Sequence, residues 1–237
     1  MTDTSANADD ALMMTPTLEA MAERLLTHAS PERRTLVAIA GPPAAGKSTL
    51  TQRLCERLNV LQPGVAAIVP MDGYHLDNAV LAPQGRLDIK GAPETFDVAG
   101  LLSDLTRLRR DDGVVAVPVF DRPLDLARAG GRLILPEHRL VLVEGNYLLL
   151  EAPPWRELQA LFDLSVFIDV PDSVLVERLL CRWRDMGQDP AGARARTHDK
   201  DMLNARLVND RSAAPDWRWQ FHAAIRHSLG PKESSHD

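Results

Sequence analysis

The sequence predicts an α/β fold: a doubly wound parallel sheet with helices on both faces and a small lid. Three observations predict it. Short continuous apolar runs, such as Leu36 to Ala40 and Leu140 to Val143, read as strands buried on both faces. These runs alternate with stretches of helical period from end to end of the chain. The first run leads through Gly41-Pro42-Pro43-Ala44-Ala45-Gly46-Lys47-Ser48 into a helical pattern, satisfying G-x-x-x-x-G-K-[ST] between a strand and a helix. That motif places the sheet in the P-loop NTPase type, whose ligands lie at the carboxyl ends of the strands.

The elements follow in order. Residues 1–15 read as a disordered tail, 16–230 as one domain with a lid over about 178–199, and 231–237 as a second disordered tail. Leu18, Met21, Leu25 and Leu26 share one helical face, so a lead-in helix packs on the domain. A helix runs from near Lys47 to about Leu58, and a second strand from Val65 to Val69. Residues 73–96, rich in Gly, Pro and Asp, read as a long functional loop. Phe96, Leu101, Leu105 and Leu108 are spaced as a helix that Asp112-Gly113 ends. "VVAVPVFD" reads as a strand with an edge proline at Pro118, and "LILPEHRLVLVEG" as a short strand followed by a buried one. "APPWRELQALF" reads as a helix opened by proline, and "LSVFIDV" as a strand. A helix from Pro171 to about Arg184 leads into the Gly/Asp/Arg-rich lid, then "KDMLNARLVND" as a helix and "DWRWQF" as a terminal strand.

Composition narrows the partners. With 27 Lys+Arg against 33 Asp+Glu and a net charge of −6, a broad basic face for nucleic acid is not expected. Lysine occurs only at Lys47, Lys90, Lys200 and Lys232, which makes each one more informative. Cys55 and Cys181 lie in helical patterns without CxxC or His spacing and read as reduced thiols. The acidic, polar start lacks the pattern of a signal peptide, and "LVLVEGNYLLL" is too short and interrupted to cross a bilayer. A cytoplasmic protein without a membrane partner is the expectation.

The loop from Gly41 to Ser48, with Thr49 after it, wraps backbone N–H groups around phosphate oxygens at a helix N-terminus. Lys47 neutralises the β- and γ-phosphates of ATP in such a loop, and the Ser48 hydroxyl ligates Mg²⁺. No N-K-x-D guanine signature occurs, which disfavours a dedicated GTPase. Glu144 ends an apolar strand where a carboxylate positions Mg²⁺, and Gly145-Asn146-Tyr147 behind it implies tight backbone. Asp72 ends the strand next to the loop strand; it reads either as a turn-forming Asp-Gly or as the base that takes a proton from an acceptor hydroxyl.

"MDGYHL", "KGAPETFD", "PVFD", "VEGNYLL" and "RLLCRWRDMG" follow the P-loop in the order of the phosphoribulokinase/uridine kinase family, which the chain resembles over about Thr35 to Asn209. "KGAPETFD" is similar to a type I pantothenate kinase segment, and "PVFD" to the Pro-x-Tyr-Asp of uridine kinases. The nearest likeness is to a nucleoside/nucleotide-kinase-like subgroup sometimes labelled fructose-transport kinase. The resemblance implies ATP-dependent phosphorylation of a hydroxyl on a small metabolite such as a nucleoside, a pantothenate-like compound or a sugar. It implies Asp72 as general base, Glu144 beside Mg²⁺, and Asp97 after aromatic Phe96 as the acid that holds substrate hydroxyls. It also implies Arg178, Arg182 and Arg184 as lid arginines over the phosphates, with Arg178 and Arg182 acting in catalysis beside Lys47. Family members often dimerise, so a homodimer is an expectation carried by the resemblance alone.

The substrate-side candidates are Tyr74, His75, Lys90, Phe96, Asp97, Phe120, Arg122, Asn146 and Tyr147. Phe120 stands where uridine kinases carry Tyr, Arg122-Pro123 follows the shared Asp121, and Tyr74-His75 departs from both groups. His75 reads either as a substrate contact or as a plain loop histidine, and Arg182 and Arg184 either as lid residues or as a solvated helix face. Trp155, Trp183, Trp217 and Trp219 read as packing anchors. The alternative to an enzyme is a nucleotide-gated regulatory or assembly protein with no small-molecule acceptor.

Overall fold

The computed structural model describes residues 17–220; the tails expected at 1–15 and 231–237 lie outside the described residues. Five strands form one parallel sheet: β1 (Thr35–Ala40), β2 (Ala66–Pro70), β5 (Leu140–Gly145), β6 (Leu164–Asp169) and β7 (Trp217–Gln220), in the order β2-β5-β1-β6-β7. β1 is central, flanked by β5 and β6, so the loop it feeds opens in the middle of the sheet's carboxyl edge.

The apolar runs are continuous because both faces of the sheet are covered. Leu36, Ala38, Val141 and Val143 point to one face, against Leu101, Leu105 and Leu108 of α4 (Val98–Arg110) and against Trp155 and Leu158. Val37, Ile39, Leu140 and Leu142 point to the other face. There they meet Met21 and Leu25 of α1 (Leu18–His28), Leu54 and Leu58 of α2 (Lys47–Leu61), and Leu175 and Leu179 of α5 (Asp172–Asp185).

Strand does not alternate with helix throughout, however. The "VVAVPVFD" strand, β3 (Val115–Asp121), pairs antiparallel with β4 (Leu126–Ile134) as a separate two-stranded hairpin. Pro118 falls where the pairing register shifts, since it has no N–H to give. β4 is longer than the short strand expected from "LIL", because two Gly and alternating Ala and Arg weaken the apolar signal of an exposed ribbon. Residues 73–96 are not a bare loop: they hold 3-10 turns and the short helix α3 (Asn78–Leu81). "WRELQAL" is a 3-10 helix, and α4 ends on Asp111, left-handed at φ 60°, two residues before the expected glycine. The lid contains α6 (Pro190–Arg196) and a π-helical turn, Thr197–Asp201, leading into α7 (Met202–Arg211).

The hairpin bears directly on the site. Arg132 of β4 donates to the Ile68 carbonyl at 2.8 Å, tying the hairpin to the edge strand β2. Three residues beyond β2, at Gly73, an added Cβ would lie 2.3 Å from the Pro118 oxygen and 2.6 Å from its carbonyl carbon. The hairpin backbone therefore crosses directly over the residue after Asp72. Gly73→Ala should cost about 1–3 kcal/mol by overpacking against backbone that cannot swing aside. Urea unfolding checks this; unchanged stability would mean the hairpin does not rest on that residue.

Candidate active site

The loop after β1 is built by backbone conformations most residues avoid. Gly41 (φ 152°), Ala44 (φ 62°) and Gly46 (φ 97°) turn it back on itself, and an added Cβ at Gly41 would meet the Ile168 carbonyl oxygen at 2.9 Å. α2 then starts at Lys47 behind Gly46, which offers no side-chain cap, so its leading N–H groups face the cleft without a side-chain acceptor. Lys47 is buried and donates to the Pro42 carbonyl at 2.9 Å within its own loop.

Carboxylates from β5 and from the turn after β2 attract that ammonium. Glu144, the fifth residue of β5, is in register with Ile39 of β1 and Pro70 of β2. Its carboxylate oxygens each lie 3.2 Å from the Ser48 hydroxyl, which donates to them. An added Cβ at Gly145 would meet Met71 Cβ at 2.4 Å, so the end of β5 presses against the residue preceding Asp72. Burial pulls the Lys47 ammonium down to about 8 against the attraction of Glu144 and Asp72. Burial, with the nearby Asp72 charge, pushes Glu144 up, while Lys47 and the Ser48 hydrogen bond pull it back.

Asp72 sits in the 3-10 turn Met71–Tyr74, its Oδ2 2.6 Å from Arg122 Nη2 at the tip of the hairpin. His75 donates from Nδ1 to the Asp72 carbonyl at 2.8 Å, and its ring lies between Phe96 and Phe120 at centroid distances of 4.1 and 4.7 Å. Burial pushes the His75 imidazole down, so it serves as a neutral wall. Lys90 donates to Asn78 Oδ1 at 2.7 Å and pairs with Asp125 at 3.0 Å. These groups line one cleft of about 780 Å³ with Ser48, Thr49, Glu144, Asn146 and Arg182.

Besides three phosphate-loop residues, five candidates fall outside its lining. Tyr74 is buried and donates to Asp104 at 2.9 Å; Tyr147 is buried and donates to the Gly91 carbonyl at 2.6 Å. Asp97 is exposed and caps α4, accepting from the Gly100 N–H at 2.8 Å. Arg178 braces the phosphate loop from α5, donating to the Ala44 and Ala45 carbonyls at 3.0 and 3.1 Å. Arg184 is exposed and donates to the Leu180 carbonyl of its own helix. Within the P-loop candidates, Pro43, Ala44, Gly46, Lys47, Ser48 and Thr49 line the cleft, while Gly41, Pro42 and Ala45 shape the turn behind them.

The lid supplies residues that motif reading did not select. Trp183 lines the cleft instead of anchoring the core; its indole N–H donates to Asp201 at 2.7 Å, and the Arg196 guanidinium lies 4.9 Å from its ring centroid. Lys200, Asp201 and Asn204 follow from the π turn and α7. A π turn in a lid is a recurrent mark of a functional segment, but nothing in "ARTHDKDML" announces one.

Among the described residues no cluster of three or more His, Cys, Asp or Glu could hold a metal by itself. The Ser48–Glu144 pair is an all-oxygen donor set of the kind that binds Mg²⁺ together with substrate phosphates. Among the described residues no helix is long and apolar enough to cross a membrane.

No family model matches the chain. It is 33% identical over 204 residues to a Schizosaccharomyces pombe protein provisionally named a uridine kinase, covering 82% of this chain and 85% of that protein. It is 41% identical over 160 residues to YggC of Escherichia coli K12, spanning 66% of this chain and 65% of YggC. The crystal structure of a protein from Silicibacter sp. TM1040, provisionally named a fructose transport system kinase, superposes with a TM-score of 0.81 at 42% identity. That match covers 86% of this chain and 99% of the other. With the P-loop, the strand-end carboxylates and the lid in one cleft, these likenesses show that the chain belongs to the phosphoribulokinase/uridine kinase family of P-loop kinases.

Proposed function

We propose that this protein transfers the γ-phosphoryl group of ATP to a hydroxyl of a small metabolite: a nucleoside, a pantothenate-like compound or a sugar. The observation that carries the reading is the meeting of Lys47, the Ser48–Glu144 pair and Asp72 in one cleft beneath a lid. The names of the relatives agree with it.

The donor half binds first to backbone. The loop N–H groups and the start of α2 take the phosphates, and Lys47 exchanges its Pro42 partner for phosphate oxygen. Ser48 and Glu144 would hold Mg²⁺, which when bound supplies positive charge to the β- and γ-oxygens. Arg182, in the lid and facing the cleft, offsets charge on the phosphoryl group in transit. Asp72 accepts the proton of the acceptor hydroxyl as that oxygen bonds to the γ-phosphorus and the bond to the β-phosphate oxygen breaks, releasing ADP. His75, Phe96 and Phe120 form the acceptor's apolar wall, and Asn146 offers it a polar contact. The chain is expected to work in the cytoplasm on this small substrate.

Asp72→Asn keeps the shape of the site and removes the proton acceptor. Acceptor-dependent ADP formation, across nucleosides, pantothenate and sugars, should fall by about 10²–10⁴-fold while nucleotide binding persists. Turnover at the wild-type rate would remove Asp72 from the role of base.

Lys47 sets a pH dependence on the donor side. In the free protein burial holds its ammonium down at about 8, and bound phosphate raises that value. Nucleotide affinity should therefore be full below pH about 8 and weaken as pH rises through it. Calorimetric titration with ADP between acidic and alkaline buffers measures this; affinity that is flat across the range, or that rises with pH, contradicts it.

A further inference from the structure

The base proposed for the reaction is occupied by another side chain of the same molecule. Arg122 holds Asp72 Oδ2 at 2.6 Å, from a hairpin tip that is itself solvent-facing: the Arg122 side chain is 55% exposed and that of Asp72 27%. A carboxylate oxygen engaged by a guanidinium is a poorer acceptor for a hydroxyl proton, because the lone pair that would take the proton is already held in a hydrogen bond. The acceptor must therefore either approach an oxygen that Arg122 still occupies or draw Arg122 away.

The surroundings favour the second course. Apart from Lys47 and Glu144, the cleft is lined by five cationic side chains, Lys90, Arg122, Arg182, Arg196 and Lys200, against three carboxylates, Asp72, Asp125 and Asp201. Asp125, the other acid at the hairpin tip, already holds Lys90 at 3.0 Å and Asn78 at 3.0 Å, so it offers Arg122 no second home. Lys200 faces the cleft from the π turn, and among the described residues no carboxylate lies within ion-pair distance of it. The charges that act on it are Asp201 and Arg196 of the lid first, and Asp88 and Asp125 after them. An exposed ion pair such as Asp72–Arg122 is weak and easily exchanged. A guanidinium exchanges readily for an anion that presents two oxygens.

We infer that the acceptor carries an anionic group, a carboxylate or a phosphate monoester, which Arg122 binds as it leaves Asp72 free to take the hydroxyl proton, so that Arg122 sets specificity for charged over neutral acceptors. This inference rests on the kinase reading of the same site and narrows its substrate class. The acceptor hydroxyl and the anion then belong to one small molecule lying between Asp72 and the hairpin tip, with Lys200 closing over the same anion from the lid.

Matched probes separate the possibilities: glycerate against glycerol, pantothenate against pantothenol, and fructose 6-phosphate against fructose, with uridine as a neutral nucleoside. Binding is read by calorimetry on the full chain with Mg²⁺ and the non-hydrolysable analogue AMP-PNP, and turnover separately as phosphorylated product with Mg-ATP. The expected result is that at least one anionic probe binds roughly 10–100-fold tighter than its neutral partner, the span of a charge-assisted hydrogen-bonded pair. Arg122→Gln should abolish that preference, and Arg122→Lys should restore part of it, with the ligand-free melting temperature unchanged because the side chain is exposed. The carboxylate and phosphate arms show which anion is used. Equal binding of charged and neutral partners, a preference that survives Arg122→Gln, or no binding by any anionic probe overturns the inference. Failure of the kinase reading looks different: Arg122-dependent binding of an anionic probe with no phosphorylated product.

Discussion

One buried ammonium, that of Lys47, constrains the rest of the site. A lysine taken out of water loses hydration that must be returned by partners, and here the return comes from three places. The Pro42 carbonyl accepts its hydrogen bond, and the carboxylates of Glu144 and Asp72 supply opposite charge. One of those carboxylates lies at the end of β5 and the other sits in the turn after β2, so the arrangement holds only if β1, β5 and β2 stop in step. The register, with Glu144 beside both Ile39 and Pro70, is what makes them do so. The contacts behind Gly145 and Gly73 then fix the turn that carries Asp72, one against Met71 and the other against the hairpin. Side-chain bulk at either glycine would push these groups apart.

The donor half of the site was legible in the sequence because its signals are local. A phosphate loop needs glycine at fixed offsets and a lysine and serine at the start of a helix, all within eight residues. Glu144 was legible because a carboxylate closing an apolar run falls at the carboxyl end of a strand, where ligands of such sheets bind. The parallel sheet and the order of its elements followed from the same runs, whereas the hairpin did not. An exposed two-stranded ribbon containing Gly130 and Gly131 carries too little hydrophobic alternation to show itself.

The acceptor half was half legible, and the misses share one cause. Motif reading placed neighbouring residues together in the pocket, but backbone geometry sends neighbours to opposite sides. Phe96 lines the cleft while Asp97 turns outward to cap α4. His75 lines it while Tyr74 goes into the core toward Asp104, and Asn146 lines it while Tyr147 packs on Trp155 and Phe96. On α5 the same logic runs with helical period. Arg182 reaches the cleft, Arg178 one turn earlier reaches the loop carbonyls, and Arg184, rotated about 200° from Arg182, faces solvent. Trp183 turned out to belong to the cleft because the lid folds Asp201 back to its indole N–H, a contact across a π turn that no short-range pattern encodes.

The cleft thus joins a rigid donor half, set by strand register, to an acceptor half assembled from a hairpin, a helical loop and a lid. Phosphoryl transfer to a small molecule is the chemistry such a junction supports, and it has a direct signature. The protein can be incubated with Mg-ATP and a mixture of small metabolites, and the products surveyed by mass spectrometry against a Lys47→Ala control. The expected result is a metabolite that gains the mass of one phosphoryl group only with ATP and the intact lysine. Consumption of ATP to ADP and free phosphate, with no phosphorylated metabolite in any fraction, would contradict it.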